Sequence, residues 1–148
     1  LIIALDVSNS MLAEDIQPNR LERAKRAISR LTERLSNDKL GLIVFAGDAY
    51  TQIPITTDYL SAKLFLSAIT PDVVPKQGTA IGAAIDLARN SFTPESKTSK
   101  AIIVITDGEN HEDDAIEMSK VASENVIVVD IIGMVLPQGG PIPVVNAF

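Results

Sequence analysis

Apolar runs and polar breaks divide the chain into alternating short strands and amphipathic helices. Leu1 to Val7 is continuously apolar apart from Asp6, and reads as a buried parallel-type strand. Met11 to Asn19 reads as a loop. Arg20 to Ser36 is predicted as a helix: Leu21, Ala24, Ile28, Leu31 and Leu35 step by three and four, and Asn19 is a fitting N-cap. Arg20, Glu22, Arg23, Lys25, Arg26, Arg30, Glu33 and Arg34 fill the rest of that helix and read as a solvated face. Leu40 to Ala46 is a second buried strand. Ala49 to Ile55 is a short third strand after a tight turn at Gly47-Asp48. So short a link allows only an antiparallel neighbour, and Pro54 suits an edge.

Farther on, Thr57 or Asp58 caps a predicted helix through Thr70, and Pro71 to Gln77 is a loop. Thr79 to Phe92 reads as a helix with Ile81, Ala84, Ile85, Ala88 and Phe92 on one side. Ala101 to Thr106 is a central strand. Asp113 or Asp114 opens a helix to about Glu124, and Val126 to Ile132 is a fifth strand. Pro137 to Pro143 is rich in turn residues and reads as a loop or short hairpin. Strands alternating with helices predict an α/β fold: a doubly wound, mainly parallel sheet with helices on both faces. The expected order is 3-2-1-4-5 with strand 3 antiparallel at one edge. Strands 1 and 4 then lie side by side.

That order gathers polar residues at one place. Asp6-Val7-Ser8-Asn9-Ser10 is a DxSxS sequence at the carboxyl end of strand 1. Asp107-Gly108 follows strand 4, and Thr79 lies in Gln77-Gly78-Thr79-Ala80-Ile81-Gly82 at the mouth of a helix. Open α/β sheets bind ligands beyond the carboxyl ends of their strands. Carboxylates and hydroxyls together suit a hard divalent cation such as Mg²⁺, with Mn²⁺ or Ca²⁺ as alternatives. Taken singly, each piece is also an ordinary turn, because Ser, Asn and Asp bond nearby backbone. The force lies in their shared position.

In this order, DxSxS, a loop Thr and a strand-terminal Asp-Gly form the pattern of a metal-ion-dependent adhesion site (MIDAS). On these residues the chain resembles a von Willebrand factor A (VWA) domain. Leu5 to Ile16, Pro18-Asn19-Arg20-Leu21, Ile43 to Gly47 and Gly139 to Pro143 sharpen the likeness to the Bacteroides aerotolerance (Bat) branch. The resemblance implies that Ser8, Ser10 and Thr79 offer hydroxyl oxygens to the metal, and that Asp6 and Asp107 act directly or through water. It implies one coordination position left for an Asp or Glu of a protein partner, so the metal docks rather than catalyses. It further implies a parent protein anchored in the bacterial inner membrane, on a side the sequence does not give. That parent would act with a MoxR-type AAA+ ATPase or other Bat proteins in stress or oxygen tolerance. A complete member continues with another helix and a sixth strand. The chain therefore reads as a single VWA domain over residues 1–148, incomplete at its C-terminal end and cut from a longer protein.

Bulk properties narrow the alternatives. At 148 residues, 46% apolar, the chain is one domain with a real core. The net charge of −6, with no dense Lys/Arg cluster, argues against nucleic acid. The absence of Cys excludes disulfides and thiolate chemistry. No stretch reaches the roughly 18 to 20 apolar residues that span a bilayer. A metal-dependent phosphoryl-transfer or phospho-acceptor domain on a similar fold is the competing reading. It lacks a second Asp two residues after Asp6, a G-x-x-x-x-G-K-[ST] loop and a G-x-G-x-x-G fingerprint.

Remaining residues carry smaller expectations. His111, the one His, reads as a surface residue, and Glu109, Glu112, Asp113 and Asp114 as an acidic rim that caps the next helix. Tyr50 and Tyr59 read as packing or rim residues. Met11 and Leu12 either meet a partner or tuck under their loop. Met134-Val135-Leu136 is more apolar than the family's turn. Strand 5 is long, β-branched and carries one charge, so its edge is expected to be covered by the tail from Pro141 to Phe148 or by a second chain.

Overall fold

The computed structural model describes residues 1–108 and 115–136. Five strands form one sheet: β1 (Ile2–Asp6), β2 (Leu40–Phe45), β3 (Ala49–Thr56), β4 (Lys100–Thr106) and β5 (Ile127–Gly133). Their order is β3-β2-β1-β4-β5. β1 runs parallel to β2 and β4, β4 runs parallel to β5, and β3 is antiparallel to β2. This is the predicted α/β topology.

The strands alternate cleanly because successive side chains point to opposite faces. Ile3, Leu5, Leu42 and Val44 enter one core with Leu21, Ala24 and Ile28 of α1 (Arg20–Thr32) and Ala62 and Leu66 of α2 (Tyr59–Ser67). Ile2, Ala4, Ile43 and Phe45 enter the other, against Ile81, Ala84, Ile85 and Ala88 of α3 (Ile81–Ser91) and Ala122 of α4 (Ala115–Glu124). β1 is buried along its whole length, as a central strand covered by helices on both faces must be. Among the described residues, no helix is long and apolar enough to cross a membrane.

Helix ends differ from the periodic reading. α1 stops at Thr32 rather than Ser36, where the Thr32 hydroxyl donates to the Ser29 carbonyl at 2.6 Å. The Arg34 N–H then closes a tighter three-residue turn on Leu31 O. Asp58 is the N-cap of α2, accepting from Ser61 N–H at 3.0 Å, and the helix ends at Ser67. α3 begins at Ile81, so Thr79 stands in the loop before it. The loop after β1 includes a 3₁₀ turn over Asn9–Leu12, with Met11 fully buried, so Met11 tucks under the loop.

The solvated reading of α1 fails at two positions. Arg20 is 6% and Lys25 8% exposed. Lys25 donates to the carbonyls of Ser67 and Ile69 at 3.1 and 3.0 Å, holding the end of α2 against α1. Glu109 to Asp114 and the tail from Pro137 to Phe148 lie outside the described residues, and with them the expectations for His111, the acidic rim and strand-edge cover by the tail.

Candidate metal centre

Asp6 is the last residue of β1 and is fully buried. Its Oδ1 accepts the Ser8 N–H at 2.9 Å, a short-range closure that turns the chain sharply after the strand. Its Oδ2 accepts the Thr106 hydroxyl at 2.6 Å, from the end of the neighbouring strand β4. The same Thr106 oxygen accepts the Gly108 N–H at 3.2 Å, which shapes the turn carrying Asp107. Gly108 sits at φ 88°, a conformation open to glycine and strained for other residues. Ser8 and Ser10 follow in the turn, with their hydroxyl oxygens 2.9 Å apart.

Thr79 reaches the same edge along another route. The Gly47 N–H donates to Lys76 O at 2.8 Å, and the Ala80 N–H donates to Ala46 O at 2.7 Å, so the loop before α3 is clamped to the end of β2. A Cβ at Gly47 would stand 2.4 Å from Gln77 O, which explains the glycine there. The Gln77 side chain accepts the Asn9 N–H at 3.1 Å, tying this loop to the DxSxS turn. Thr79 is 5% exposed, and its hydroxyl has no hydrogen-bond partner among the described residues.

Asp107 brings in a residue that sequence reading assigned to solvent. Arg20 Nη1 donates to Asp107 Oδ2 at 3.2 Å and to Ser10 O at 3.4 Å. Its Nε and Nη2 donate to the two oxygens of Asp15 at 2.8 and 3.0 Å. Asp15 in turn accepts the Leu136 N–H at 3.1 Å, and the Met134 N–H donates to Thr106 O at 2.7 Å. The apolar stretch after β5 is thus fastened beside the site, with Met134 against the α1–α2 core. The sequence signal for Arg20 was its place directly after Asn19, at the head of the helix that follows the DxSxS loop.

The charges are set by these contacts. Burial pushes the Asp6 carboxyl up from its ordinary value; hydrogen bonds from Ser8 and Thr106 oppose the rise, and the nearby Asp107 charge adds to it. The Arg20 guanidinium holds the Asp15 carboxyl down at about 2. Among the described residues no group of three His, Cys, Asp or Glu side chains stands close enough to hold an ion. The polar side chains at this edge are instead two carboxylates with serine and threonine hydroxyls, all oxygen.

A family model described as the von Willebrand factor type A domain matches residues 1–109. The chain is 62% identical to BatB from Bacteroides thetaiotaomicron, covering 99% of this chain and 71% of that one, with a TM-score of 0.94. It is 59% identical to an aerotolerance-related membrane protein from Bacteroides fragilis, over 99% and 72% of the two chains, again with a TM-score of 0.94. An uncharacterized protein of Borreliella burgdorferi is 33% identical over 118 residues, and the match spans 77% of this chain but only a third (33%) of that protein's length. Proximal thread matrix protein 1 of the mussel byssus, in a structure with a zinc-occupied MIDAS motif, shares the fold at 22% identity and a TM-score of 0.76, over 89% and 34% of the two chains. With three quarters of its length matched by the family and its sheet in the expected order, the chain belongs to the von Willebrand factor type A domain family.

Proposed function

We propose that this domain is a metal-dependent docking module. Ser8, Ser10 and Thr79 would hold a divalent cation, Mg²⁺ or Mn²⁺, through their hydroxyls, with Asp6 and Asp107 acting directly or through water. The ion would supply a positive centre able to bind a carboxylate from a protein partner. The observation that carries the reading is the buried Thr79 hydroxyl. It has no hydrogen-bond partner among the described residues, on a loop tied to the Ser8–Ser10 turn. A buried hydroxyl left without a partner is costly, so it favours an occupant. The likeness to a protein whose MIDAS motif holds zinc favours a divalent ion as that occupant.

We assign this chain no catalytic step. Both oxygens of Asp6 are engaged by Ser8 N–H and Thr106 O–H, which suits a fixed carboxylate rather than an attacking one. The similarity to an aerotolerance-related membrane protein supports a membrane-anchored parent of Bat type. In that reading the parent sits in the bacterial inner membrane and works with a MoxR-type AAA+ ATPase or other Bat proteins.

Calorimetric titration of the chain with Mg²⁺ and Mn²⁺, beside thermal melts, tests the site. Ligand that binds only the folded state raises its stability with concentration over Kd. Asp6→Ala and Asp107→Ala should abolish that rise, and capture of partner proteins should stop in chelator. Unchanged metal-induced shifts in both variants would sink the assignment.

A further inference from the structure

A guanidinium and a divalent cation make the same demand on a carboxylate. Arg20, the first residue of α1, already makes that demand on Asp107. Asp15 takes the Nε/Nη2 edge of the guanidinium and Asp107 the Nη1 end, so the cation stands between the two acids. The Arg20 side chain is 7% exposed, and those of Asp15 and Asp107 are 1% and 0% exposed. A fork bound bidentately on one side is held in place when the other contact is loosened. Arg20 therefore stays beside the site whatever Asp107 does, and its burial keeps it from meeting a docked partner directly. Its charge still acts, because a buried pair is screened far less than an exposed one.

We infer that Arg20 is a resident cation that competes with the divalent ion for Asp107 and sets how much positive charge the loaded site presents to a partner carboxylate. This rests on the metal reading above. Two effects of opposite sign follow. Arg20 weakens metal binding by holding Asp107 and repelling a second cation. It strengthens carboxylate binding by leaving the ion less fully neutralised. A purely structural role would move both affinities in the same direction when the residue is lost.

Mn²⁺ affinity read by paramagnetic resonance, and acetate titrated onto the Mn²⁺-loaded chain, separate the two. In Arg20→Met, Mn²⁺ should bind about tenfold tighter and acetate several-fold more weakly. Arg20→Lys keeps the charge without the fork and should hold Mn²⁺ affinity within about threefold of wild type. Where Arg20→Met alone does not fold, Asp15→Asn with Arg20→Met removes the orphaned acid and should give the same split with smaller amplitude. Mn²⁺ binding that is unchanged or weaker in the Met variants, beside a wild type that binds, overturns this inference and leaves the metal site standing. Binding by the variant alone supports the competition in its strongest form. No Mn²⁺ binding in any form takes down the metal reading and this inference with it.

Discussion

The Thr106 hydroxyl donates to Asp6 Oδ2 at 2.6 Å across 100 residues of sequence, and both residues are fully buried. The bond joins the ends of adjacent strands β1 and β4 and fixes the rotamer of the carboxylate nearest the Ser8 turn. Thr106→Val keeps the shape and deletes the donor. Leaving a buried carboxylate oxygen without its partner should cost about 1–3 kcal/mol in chemical denaturation. It should also weaken Mg²⁺-induced stabilisation without abolishing it. A variant as stable as wild type would show that the bond only accompanies the fold.

Burial disfavours the charged form of Asp6 and raises its carboxyl above the ordinary value. Asp6→Asn keeps an acceptor for Ser8 N–H and removes the ionisable group. The variant should melt about 2–6 °C higher than wild type at pH 7 in chelator, and show no response to Mg²⁺. The pH dependence follows from the raised value. The folded state binds the Asp6 proton more tightly than the unfolded chain does, so this group's destabilising effect grows as pH rises through its folded value and vanishes in acid below the ordinary value of 3.8. Metal-free Asp6→Asn should lack that component of the stability profile.

Asp15 has the opposite sign. Its carboxyl lies at about 2 in the folded chain against an ordinary value of 3.8, because the Arg20 guanidinium favours its charged form. Its contribution to stability is fully present above pH about 4, and is lost as pH falls from there toward 2. Thermal melts in that window should fall more steeply for wild type than for Asp15→Asn. Parallel curves would show that the pair adds nothing in solution.

Among the described residues β5 is a sheet edge, with Val128, Ile131 and Ile132 60%, 54% and 46% exposed. A long, flat, apolar edge pairs readily with another strand. The isolated 148-residue chain should self-associate in sedimentation velocity, and Val128→Lys should shift it toward monomer. A strictly monomeric wild type with fast-exchanging β5 amides would refute pairing and cover alike.

Sequence periodicity made the elements and the fold class of this domain legible. Unbroken apolar runs marked β1 and β4 as buried strands, and the tight Gly47-Asp48 link made β3 antiparallel. Parallel crossovers allow more than one strand order, and the pairing of the folded sheet decides for β3-β2-β1-β4-β5. The carboxyl-end placement of Asp6, Ser8, Ser10 and Asp107 was legible from the same apolar runs: Asp6 ends β1, Ser8 and Ser10 lie two and four residues beyond it, and Asp107 directly follows β4. Thr79 was legible at the mouth of a helix and, through the family resemblance, as a hydroxyl donor, but the clamp of its loop onto Ala46 and Gly47 belongs to the folded chain.

Tertiary structure decided which charges are buried. On a helical wheel Arg20 and Lys25 stand at the two borders of the apolar stripe of α1, away from the exposed Arg23, Arg26 and Arg30. Their burial depends on what lies across from them: Asp15 and Asp107 for one, the carbonyls at the end of α2 for the other. Periodicity records which way a side chain leaves its own helix, not what another element brings to meet it. Partners such as Arg20 with Asp107, 87 residues apart, and Thr106 with Asp6 exist only once β1 and β4 lie side by side, because a hydrogen bond or ion pair acts over about 3 Å and sequence distance carries no information at that range.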